Sequence, residues 1–331
     1  MDYHAACTAS SGGGEVSVLG RGQQVRAGAQ ALRPGRTWEA CGGIADVSMG
    51  TRRLAWREIE RLRAHRWRTA PERQIGSERG ALRLISELGF VLLMPMAGIE
   101  FPSIHKATRK AWAWWDWKQT LPGRKACYYA KVLRRRGTLI SWEWFPCFYA
   151  AYADDTPYWR QYRDGLLGRS EKQILDLLAS SGPLMTREVR LAFGPRSKEN
   201  TRRVKSILVE LQTRFLVAAA GGDTKGWSHH RWDLVERWVA RGVLNEAAGM
   251  GREEARKRIV RRLVENLLAT TAADIAWVLG WRRGEVEAIV AGLLAEGSIE
   301  TVPVAKLEGE VLVPKPWPAK GVVGGGSARR E

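Results

Sequence analysis

Two carboxylates stand between tryptophans, a setting in which they could act as acids or bases. Asp116 lies in the sequence WWDW and Glu143 in SWEWF. Indole rings packed around a carboxyl group would remove it from water and raise its pKa toward the range of a general acid. Neighbours in sequence need not be neighbours in space, so the sequence favours the more ordinary interpretation of an exposed or hydrogen-bonded acid. Asp116 and Glu143 are the two candidates for catalysis.

The sequence holds none of the common motifs for nucleotide, zinc or serine chemistry. G-x-x-x-x-G-K-[ST], H-E-x-x-H, G-x-S-x-G and G-x-G-x-x-G are all absent. His229 and His230 are adjacent, so in a strand they would face opposite ways, and no acid lies near them at ligand spacing. We therefore predict neither a metal site nor a cofactor.

Positive charge is in large excess. The chain carries 53 Lys and Arg against 35 Asp and Glu, a formal net charge of +18. The first 51 residues contain equal numbers of the two signs, so the excess belongs to the rest of the chain. Such a charge favours a polyanionic partner and salt-sensitive association. An arginine-rich proteome with ordinary solvated faces is the alternative explanation.

The clearest helices that could position these cations lie between residues 170 and 240. SEKQILDLLASSG predicts a first helix capped by Ser170, and MTREVRLAFG predicts a second helix capped by Thr186. NTRRVKSILVELQTRF predicts a third helix, with an apolar stripe at Val204, Ile207, Leu208, Leu211 and Phe215. Two short extended segments around a glycine-rich turn follow this helix. The order of three helices and a hairpin is typical of a winged-helix domain, whose third helix enters the major groove.

The polar residues of the third helix and of the basic loop before it are the first predicted DNA contacts. At 100° per residue, Arg202 and Ser206 lie opposite the apolar stripe, while Arg203 and Lys205 flank it. A guanidinium can fork onto guanine or phosphate, whereas lysine acts as a point charge. A solvated helix face is the alternative. The predicted contacts are Arg196, Lys198, Arg202, Arg203, Lys205 and Ser206.

A second basic group follows an aromatic segment, residues 112–136, that contains four tryptophans. Trp112 and Trp115 share one helical face and Trp114 and Trp117 share another, so we predict that most of these rings are buried and form no stacking platform. The segment ends in YYAKVLRRRG, where cations would offset the dipole at the end of a helix and could also contact phosphate. The predicted DNA contacts here are Arg134, Arg135 and Arg136.

The order of three helices and a hairpin recurs near the C-terminus, with a hairpin turn near residues 307–309. The third helix of this copy carries Glu285, Glu287 and Glu296, which would repel phosphates, so we expect it to pack or to position other elements.

The predicted fold is mainly α with small β-hairpin wings (α+β), as tandem winged-helix domains joined by the aromatic segment. The predicted domains are a winged-helix-like and aromatic-rich region at 51–152 and winged helices at 170–240 and 252–313. Residues 1–50 and 314–331 are predicted to be disordered.

Cysteine usage and hydropathy indicate the compartment. The four cysteines are far apart and form no C-x-x-C pair, as in proteins of a reducing cytoplasm. The longest apolar run, FVLLMPMA at 90–97, is much shorter than the roughly 20 residues that cross a bilayer. The N-terminus lacks the features of a secretory signal. We predict a cytoplasmic, nucleoid-associated protein without membrane contact, and the oligomeric state stays open.

Three stretches of the sequence resemble a known bacterial family. They are FVLLMPMAGIEFPSIHKA, the spacing W-x-W-K-x-x-L-P-x(5)-Y-Y-x-K-x-L over residues 115–133, and TLISWEWFPCFYA. These stretches are similar to those of AlkZ-related proteins, relatives of the AlkZ/YcaQ class of DNA glycosylases, which excise alkylated bases and unhook interstrand crosslinks. The resemblance covers residues 77–303. It implies tandem winged helices and double-stranded DNA, possibly damaged, as the partner.

The same resemblance indicates that the usual catalytic chemistry is missing. In the active glycosylases a Gln-x-Asp or Gln-x-Gln pair follows L-G-x-x and positions the attacking water. The comparable residues are Leu92, Leu93 and Met94, and none can polarise water. The resemblance thus implies a DNA-binding protein connected with repair. A divergent glycosylase that uses Asp116 or Glu143 is one alternative, and a winged-helix module for an acidic protein partner is another.

Overall fold

The computed structural model of the protein describes residues 54–110, 113–224, 230–305 and 309–318. The predicted N-terminal extension, Trp112, His229 and most of the C-terminal hairpin turn lie outside these ranges. The described chain is mainly helical, with three small sheets of three strands each. None of the helices in these ranges has the length and hydropathy needed to cross a membrane.

The N-terminal part of the described chain combines short helices with an antiparallel sheet. The central strand of the sheet is residues 138–140, in which Ile140 lies opposite Phe90 of one outer strand and Tyr128 of the other. Apolar and aromatic side chains cover the strands, as expected for a buried sheet. The elements are β1 (Leu54–Ala55), α1 (Trp56–Arg66), α2 (Glu78–Leu88), β2 (Phe90–Leu92), α3 (Ile104–Ala107), α4 (Ala113–Gly123), β3 (Tyr128–Ala130), β4 (Thr138–Ile140), α5 (Phe145–Tyr152) and α6 (Tyr158–Arg163).

A first unit follows, which we define as residues 169–234. Along the chain it consists of a helix, a short strand, two more helices and a two-stranded hairpin. The short strand pairs with the second hairpin strand, which is therefore the central strand of this sheet. The elements are α7 (Arg169–Ser181), β5 (Leu184–Met185), α8 (Thr186–Leu191), α9 (Lys198–Thr213), β6 (Val217–Gly222) and β7 (His230–Leu234).

The first unit corrects two predicted helix caps. α7 begins after Gly168, and Ser170 Oγ instead accepts a hydrogen bond from Arg203. The Thr186 hydroxyl donates to the carbonyl of His230 at 3.0 Å, so it ties α8 to the hairpin and caps nothing. Both side chains serve tertiary contacts, which a sequence pattern does not contain.

A second unit repeats the order of the first. α10 (Val235–Trp238) and α11 (Arg241–Ala248) lead into α12 (Arg252–Leu267), α13 (Ala272–Leu279), α14 (Arg283–Ala295), β8 (Ile299–Ala305) and β9 (Glu310–Pro314). Thr271 caps α13 as predicted, with its Oγ1 accepting from the Asp274 amide at 3.1 Å. Thr270 pairs with Leu312 of β9 between the first two helices, the position that β5 occupies in the first unit.

The aromatic segment and the helix α5 that follows it pack against the two units. Tyr128 stacks on Phe215 after α9, with centroids 5.4 Å apart, and its ring also meets Phe145 of α5 at 4.8 Å. Tyr152 packs on Trp281 at 5.5 Å and donates to the carbonyl of Leu279 at 3.0 Å. One main hydrophobic core therefore runs through all three predicted domains.

A smaller core ties the two ends of the described chain together. β1 pairs in parallel with β8, and α1 buries Ile59 and Leu62 against the hairpin of β8 and β9. Trp317 is half-buried on the same cluster, so packed structure continues past Pro314, where the disordered tail was predicted to begin.

Two buried glutamines provide a test of internal hydrogen bonding. Gln119 and Gln212 are each 1 % exposed. The Gln212 amide donates to Leu208 at 2.7 Å and accepts from the Lys131 amide, while the Gln119 amide has no partner among the described residues. A buried polar group without partners costs roughly 1–3 kcal/mol.

We expect Gln119→Leu to raise the free energy of unfolding by about 1 kcal/mol and Gln212→Leu to lower it by about 2 kcal/mol. Urea unfolding measures both, and equal losses would contradict the difference.

Candidate nucleic-acid interface

The helix α9 separates an apolar face from a cationic one. The predicted stripe is buried from Val204 to Phe215, which confirms the helical spacing. Ser197 caps the helix by accepting from the Asn200 amide at 3.0 Å, so the helix begins two residues earlier than predicted and includes Lys198. All six residues predicted to contact DNA from this region are exposed: Arg196, Lys198, Arg202, Arg203, Lys205 and Ser206. Their contact with DNA stays a prediction.

A residue that was not predicted holds the turn before α9. Asn200 is buried, and its amide nitrogen lies 3.1–3.2 Å from the carbonyl oxygens of Arg190, Gly194 and Pro195. These bonds pin the turn that carries Arg196. The sequence offers little signal for this role, because an asparagine in the first turn of a helix is commonplace.

The two flanks of α9 face different neighbours. Arg203 donates to Ser170 Oγ at 2.7 Å, and its guanidinium lies 5.5 Å from the centroid of the Phe193 ring, so this side leans on α7 and α8. Lys205 lies on the opposite flank. Arg202 stands three residues before Lys205, which places both on the same side of the helix.

The three consecutive arginines lie in a tight turn, and their predicted place at a helix end is wrong. Tyr128–Ala130 is strand β3, and Leu133–Arg135 form a single 3₁₀ turn before β4. Pairing with β4 buries both tyrosines, which decides for strand over helix. Arg134 and Arg135 have φ values of 48° and 57°. The left-handed region costs a non-glycine residue about 1 kcal/mol, so tertiary contacts must hold the segment Arg134–Arg136, which we call the arginine turn.

Contacts with both units hold the arginine turn. The Arg134 guanidinium lies 4.5 Å from the centroid of the Trp277 ring in α13. Arg135 forms an ion pair with Glu210 of α9. Exposed ion pairs add little stability, so the main effect of these contacts is to orient the turn. All three arginines are exposed, as a phosphate contact requires.

Lys131, which the sequence did not single out, joins the two predicted groups. Its backbone amide donates to Gln212 Oε1 of α9 at 3.2 Å. Burial lowers the pKa of Lys131, and the nearby charges of Lys205 and Arg136 lower it further. Cations from two segments of the chain thus lie near one another, and a bound anion would relieve their repulsion. We call Lys131, Arg136, Arg202 and Lys205 the basic face.

The segment comparable to the glycosylases' polar pair lies beside the arginine turn. The Leu93 amide donates to the carbonyl of Gly137 at 2.7 Å, and the His105 amide donates to the carbonyl of Leu93 at 3.0 Å. Leu92 and Leu93 are buried, whereas Met94 is 42 % exposed. The apolar side chain of Met94 therefore reaches solvent next to the arginine turn.

The two candidate catalytic carboxylates are not desolvated. Asp116 and Glu143 are both exposed, so the hypothesis that indoles bury them is wrong and the ordinary interpretation is confirmed. The neighbouring indoles have other partners. Trp142 Nε1 donates to the carbonyl of Lys125 at 2.6 Å, and the ring of Trp144 lies under the guanidinium of Arg262.

His229 and His230 cannot be described as a pair, so the structure gives no metal site there. His229 lies outside the described ranges, and His230 stacks on Tyr129 with centroids 5.0 Å apart. In the part of the chain that the structure describes, no three His, Cys, Asp or Glu side chains are grouped to hold a metal ion.

The family model of AlkZ-related proteins matches residues 75–280, which is more than half of the chain. The chain belongs to the AlkZ-related family. The matched segment of this AlkZ-related protein includes the aromatic segment, the arginine turn and α9, while α14 and the second hairpin lie beyond it. The whole basic face is therefore within the part that carries the family's sequence pattern.

The AlkZ-related protein also shares its fold with a solved structure. The DNA glycosylase AlkZ of Streptomyces sahachiroi matches it with a TM-score of 0.50 and 13 % identity, over 80 % of this chain and 71 % of that chain. At this identity the likeness concerns the fold. No curated protein matches the sequence.

Proposed function

We propose that this AlkZ-related protein binds double-stranded DNA through the basic face, with little sequence preference and in connection with DNA repair. One observation carries the proposal: the Lys131 amide binds Gln212 of α9, and Lys131 and Arg136 of the aromatic segment lie close enough to Lys205 of α9 for their charges to interact. Clustered like charges raise the free energy of the free protein and lower that of a complex with a polyanion. Phosphate contacts of this kind supply affinity and position, not base specificity.

We further propose that the two units are tandem winged helices. The order of helix, short strand, two helices and hairpin supports this, as does the matching Thr270–Leu312 pair in the second unit. In such a domain α9 is the helix that enters the major groove. The equivalent helix α14 carries exposed Glu285 and Glu287, and Glu287 pairs with Arg283 at 2.7 Å. We therefore assign α14 a packing role.

The assignment to repair is supported by the family and by the fold shared with a protein named as a DNA glycosylase. Buried Leu92 and Leu93 and the apolar Met94 support binding without base excision, because such excision needs a polar group that positions water. The partner would be duplex DNA, damaged or distorted, bound in the cytoplasm at the nucleoid.

The salt dependence of binding tests the proposal. We expect the full chain to bind a labelled duplex of about 20 bp with log K falling against log salt at a slope near −4.5, for about five phosphate contacts. Arg202→Ala and Lys205→Ala should each weaken binding about 3- to 10-fold on unrelated sequences and reduce the slope by about 0.9. Fluorescence anisotropy from about 50 to about 200 mM salt measures both quantities.

Arg282→Ala provides the matched control for these variants. Arg282 is exposed and precedes the acidic helix α14, so its loss removes one positive charge that does not belong to the basic face. We expect it to change affinity less than 2-fold, or roughly 0.4 kcal/mol. A flat salt response would favour an acidic protein partner, and unchanged affinity in both α9 variants would reject α9 as the contact.

A further inference from the structure

A cavity of about 360 Å³ lies between the end of α4 and the hairpin of β6 and β7. Small-molecule sites commonly occupy about 300–1,000 Å³, so the cavity has room for a ligand of modest size. Described residues from α2, the segment 119–124 and the hairpin line it, and none of them belongs to the basic face or to the Leu92–Met94 segment. The cavity is therefore separate from the proposed DNA contacts.

A β-bulge and a close glycine contact shape the wall that the hairpin provides. The register shifts by one residue within the hairpin, so Ala220 and Gly221 of β6 lie opposite the single residue Arg231 of β7. Gly221 has a φ of 100°, and a Cβ atom there would lie 2.9 Å from the Cα of Gly123 in α4. Only glycine allows both this conformation and this approach. Bulges are over-represented next to active sites, where they redirect a side chain, and all three residues of this bulge line the cavity.

Gln119 is the buried polar residue of the cavity wall. The residue is 1 % exposed, and neither Oε1 nor Nε2 has a hydrogen-bond partner among the described residues. A carboxamide presents an acceptor and a donor side by side, and folded proteins seldom leave such buried groups unpaired. A ligand that carries a donor next to an acceptor would supply both missing bonds.

The charged residues of the cavity favour an anion. Arg124 forms an ion pair with Glu78, and the Glu78 carboxylate also accepts from the Thr120 hydroxyl at 2.5 Å. The exposed guanidinium of Arg231 has neither an ion-pair partner nor a hydrogen-bond partner in the described part of the chain. One positive charge is therefore in excess. A guanidinium binds phosphate through paired, charge-assisted hydrogen bonds.

We propose that this cavity binds a nucleotide, with the edge of the base on the Gln119 amide and the phosphate on Arg231. Nucleobases carry a hydrogen-bond donor next to an acceptor, and a glutamine amide pairs with such an edge through two hydrogen bonds. A free mononucleotide and an unpaired nucleotide of a DNA strand present the same base edge and phosphate. The inference goes beyond the proposed function, because binding of a free nucleotide needs no contact with the basic face.

Isothermal titration calorimetry of the full chain with each 2′-deoxynucleoside 5′-monophosphate tests the proposal. We expect one or more of these nucleotides to bind with one site per chain. Inorganic phosphate should bind at least about 10-fold more weakly, because it lacks the base. Equal affinity for phosphate would show an adventitious ion only and would overturn the assignment of a nucleotide.

Gln119→Leu should have two opposite effects that a purely structural residue would not combine. The change removes an unpaired buried amide, so the free protein should become more stable to urea. The same change leaves the base edge without partners in the cavity, so the affinity for the nucleotide should fall at least about 10-fold. Loss of affinity in a stabilised protein cannot result from misfolding.

Arg231→Ala should also weaken nucleotide binding about 10-fold or more, through loss of the phosphate contact. Arg187→Ala is the matched control, because Arg187 is exposed on α8 of the same unit and does not line the cavity. We expect the control to change the affinity less than about 2-fold. Unchanged affinity in both Gln119→Leu and Arg231→Ala would overturn the proposed site.

A duplex with one unpaired nucleotide separates the two sources of the ligand. If the chain prefers this duplex to a fully paired one by about 5-fold or more, and Gln119→Leu abolishes the preference, the ligand is an unpaired unit of DNA. Binding of a mononucleotide without that preference identifies the free nucleotide.

The outcomes also separate this inference from the proposed function. Neither mononucleotide binding nor a preference for the unpaired nucleotide would overturn the inference, while salt-dependent binding of the paired duplex would leave the proposed function intact. Mononucleotide binding without duplex binding would reject the proposed function and support the cavity as a nucleotide site.

Discussion

Replacing Arg136 and Lys205 together with glutamate is expected to weaken binding of duplex DNA by about 100-fold or more at about 100 mM salt. The two side chains crowd Lys131 from different segments, so two carboxylates there would turn its cationic surroundings acidic. The change removes two phosphate contacts and adds repulsion of the phosphate chain. Anisotropy titration with a labelled duplex measures the affinity. The fold should be unaffected, since both side chains are exposed.

The matched control makes the same change of charge elsewhere. Arg282→Glu with Arg283→Glu also lowers the net charge by four units, on the exposed start of α14. We expect this pair to weaken binding by less than about 5-fold, through the long-range field alone. Equal losses in the two double variants would show that total charge, and not the basic face, governs binding.

Replacing Arg63 with methionine is expected to lower the free energy of unfolding by about 3 kcal/mol. Arg63 is 6 % exposed, and it donates to the carbonyl oxygens of Leu267 at 2.7 Å and Ala269 at 2.6 Å. These carbonyls lie at the C-terminal end of α12, where a helix has unpaired acceptors and negative dipole charge. Burial lowers the pKa of Arg63 to about 10, so the guanidinium keeps its charge at neutral pH. Methionine would fill similar space but leave the Ala269 carbonyl without a donor and the Leu267 carbonyl with the Ala269 amide alone.

Arg61→Met is the control for that variant. Arg61 lies two residues earlier on α1 and is exposed, so its replacement should change the free energy of unfolding by less than about 0.5 kcal/mol. Urea unfolding followed by circular dichroism measures both variants. If Arg63→Met were as stable as Arg61→Met, the proposed capping of α12 by α1 would be rejected.

The local spacing of apolar residues in the sequence determined much of the secondary structure of this protein. The spacing of Val204, Ile207, Leu208 and Leu211 predicted α9 and its buried face, and the structure confirms both. A helix repeats one geometry along the chain, so its apolar spacing records which face is covered. The recurrence of three helices and a hairpin could be predicted for the same reason, and so could the family resemblance of the aromatic segment. Both are patterns of residues that are neighbours in the sequence.

Tertiary packing decided what local spacing could not. Tyr128–Ala130 became a strand because β4 lies beside it, which turned a predicted helix end into the arginine turn. Asp116 is exposed and Lys118 is buried, although both adjoin tryptophans, because the packing of α4 against the rest of the chain selects one side of that helix.

The meeting of Lys131, Arg136 and Lys205 likewise depends on segments far apart in the sequence. Aromatic rings such as Tyr128 and Phe215 hold those segments together across 86 intervening residues. Contacts at that separation depend on the whole core. The sequence by itself therefore determined the helices, their apolar faces and the family, and only the tertiary structure decided which charges share a surface.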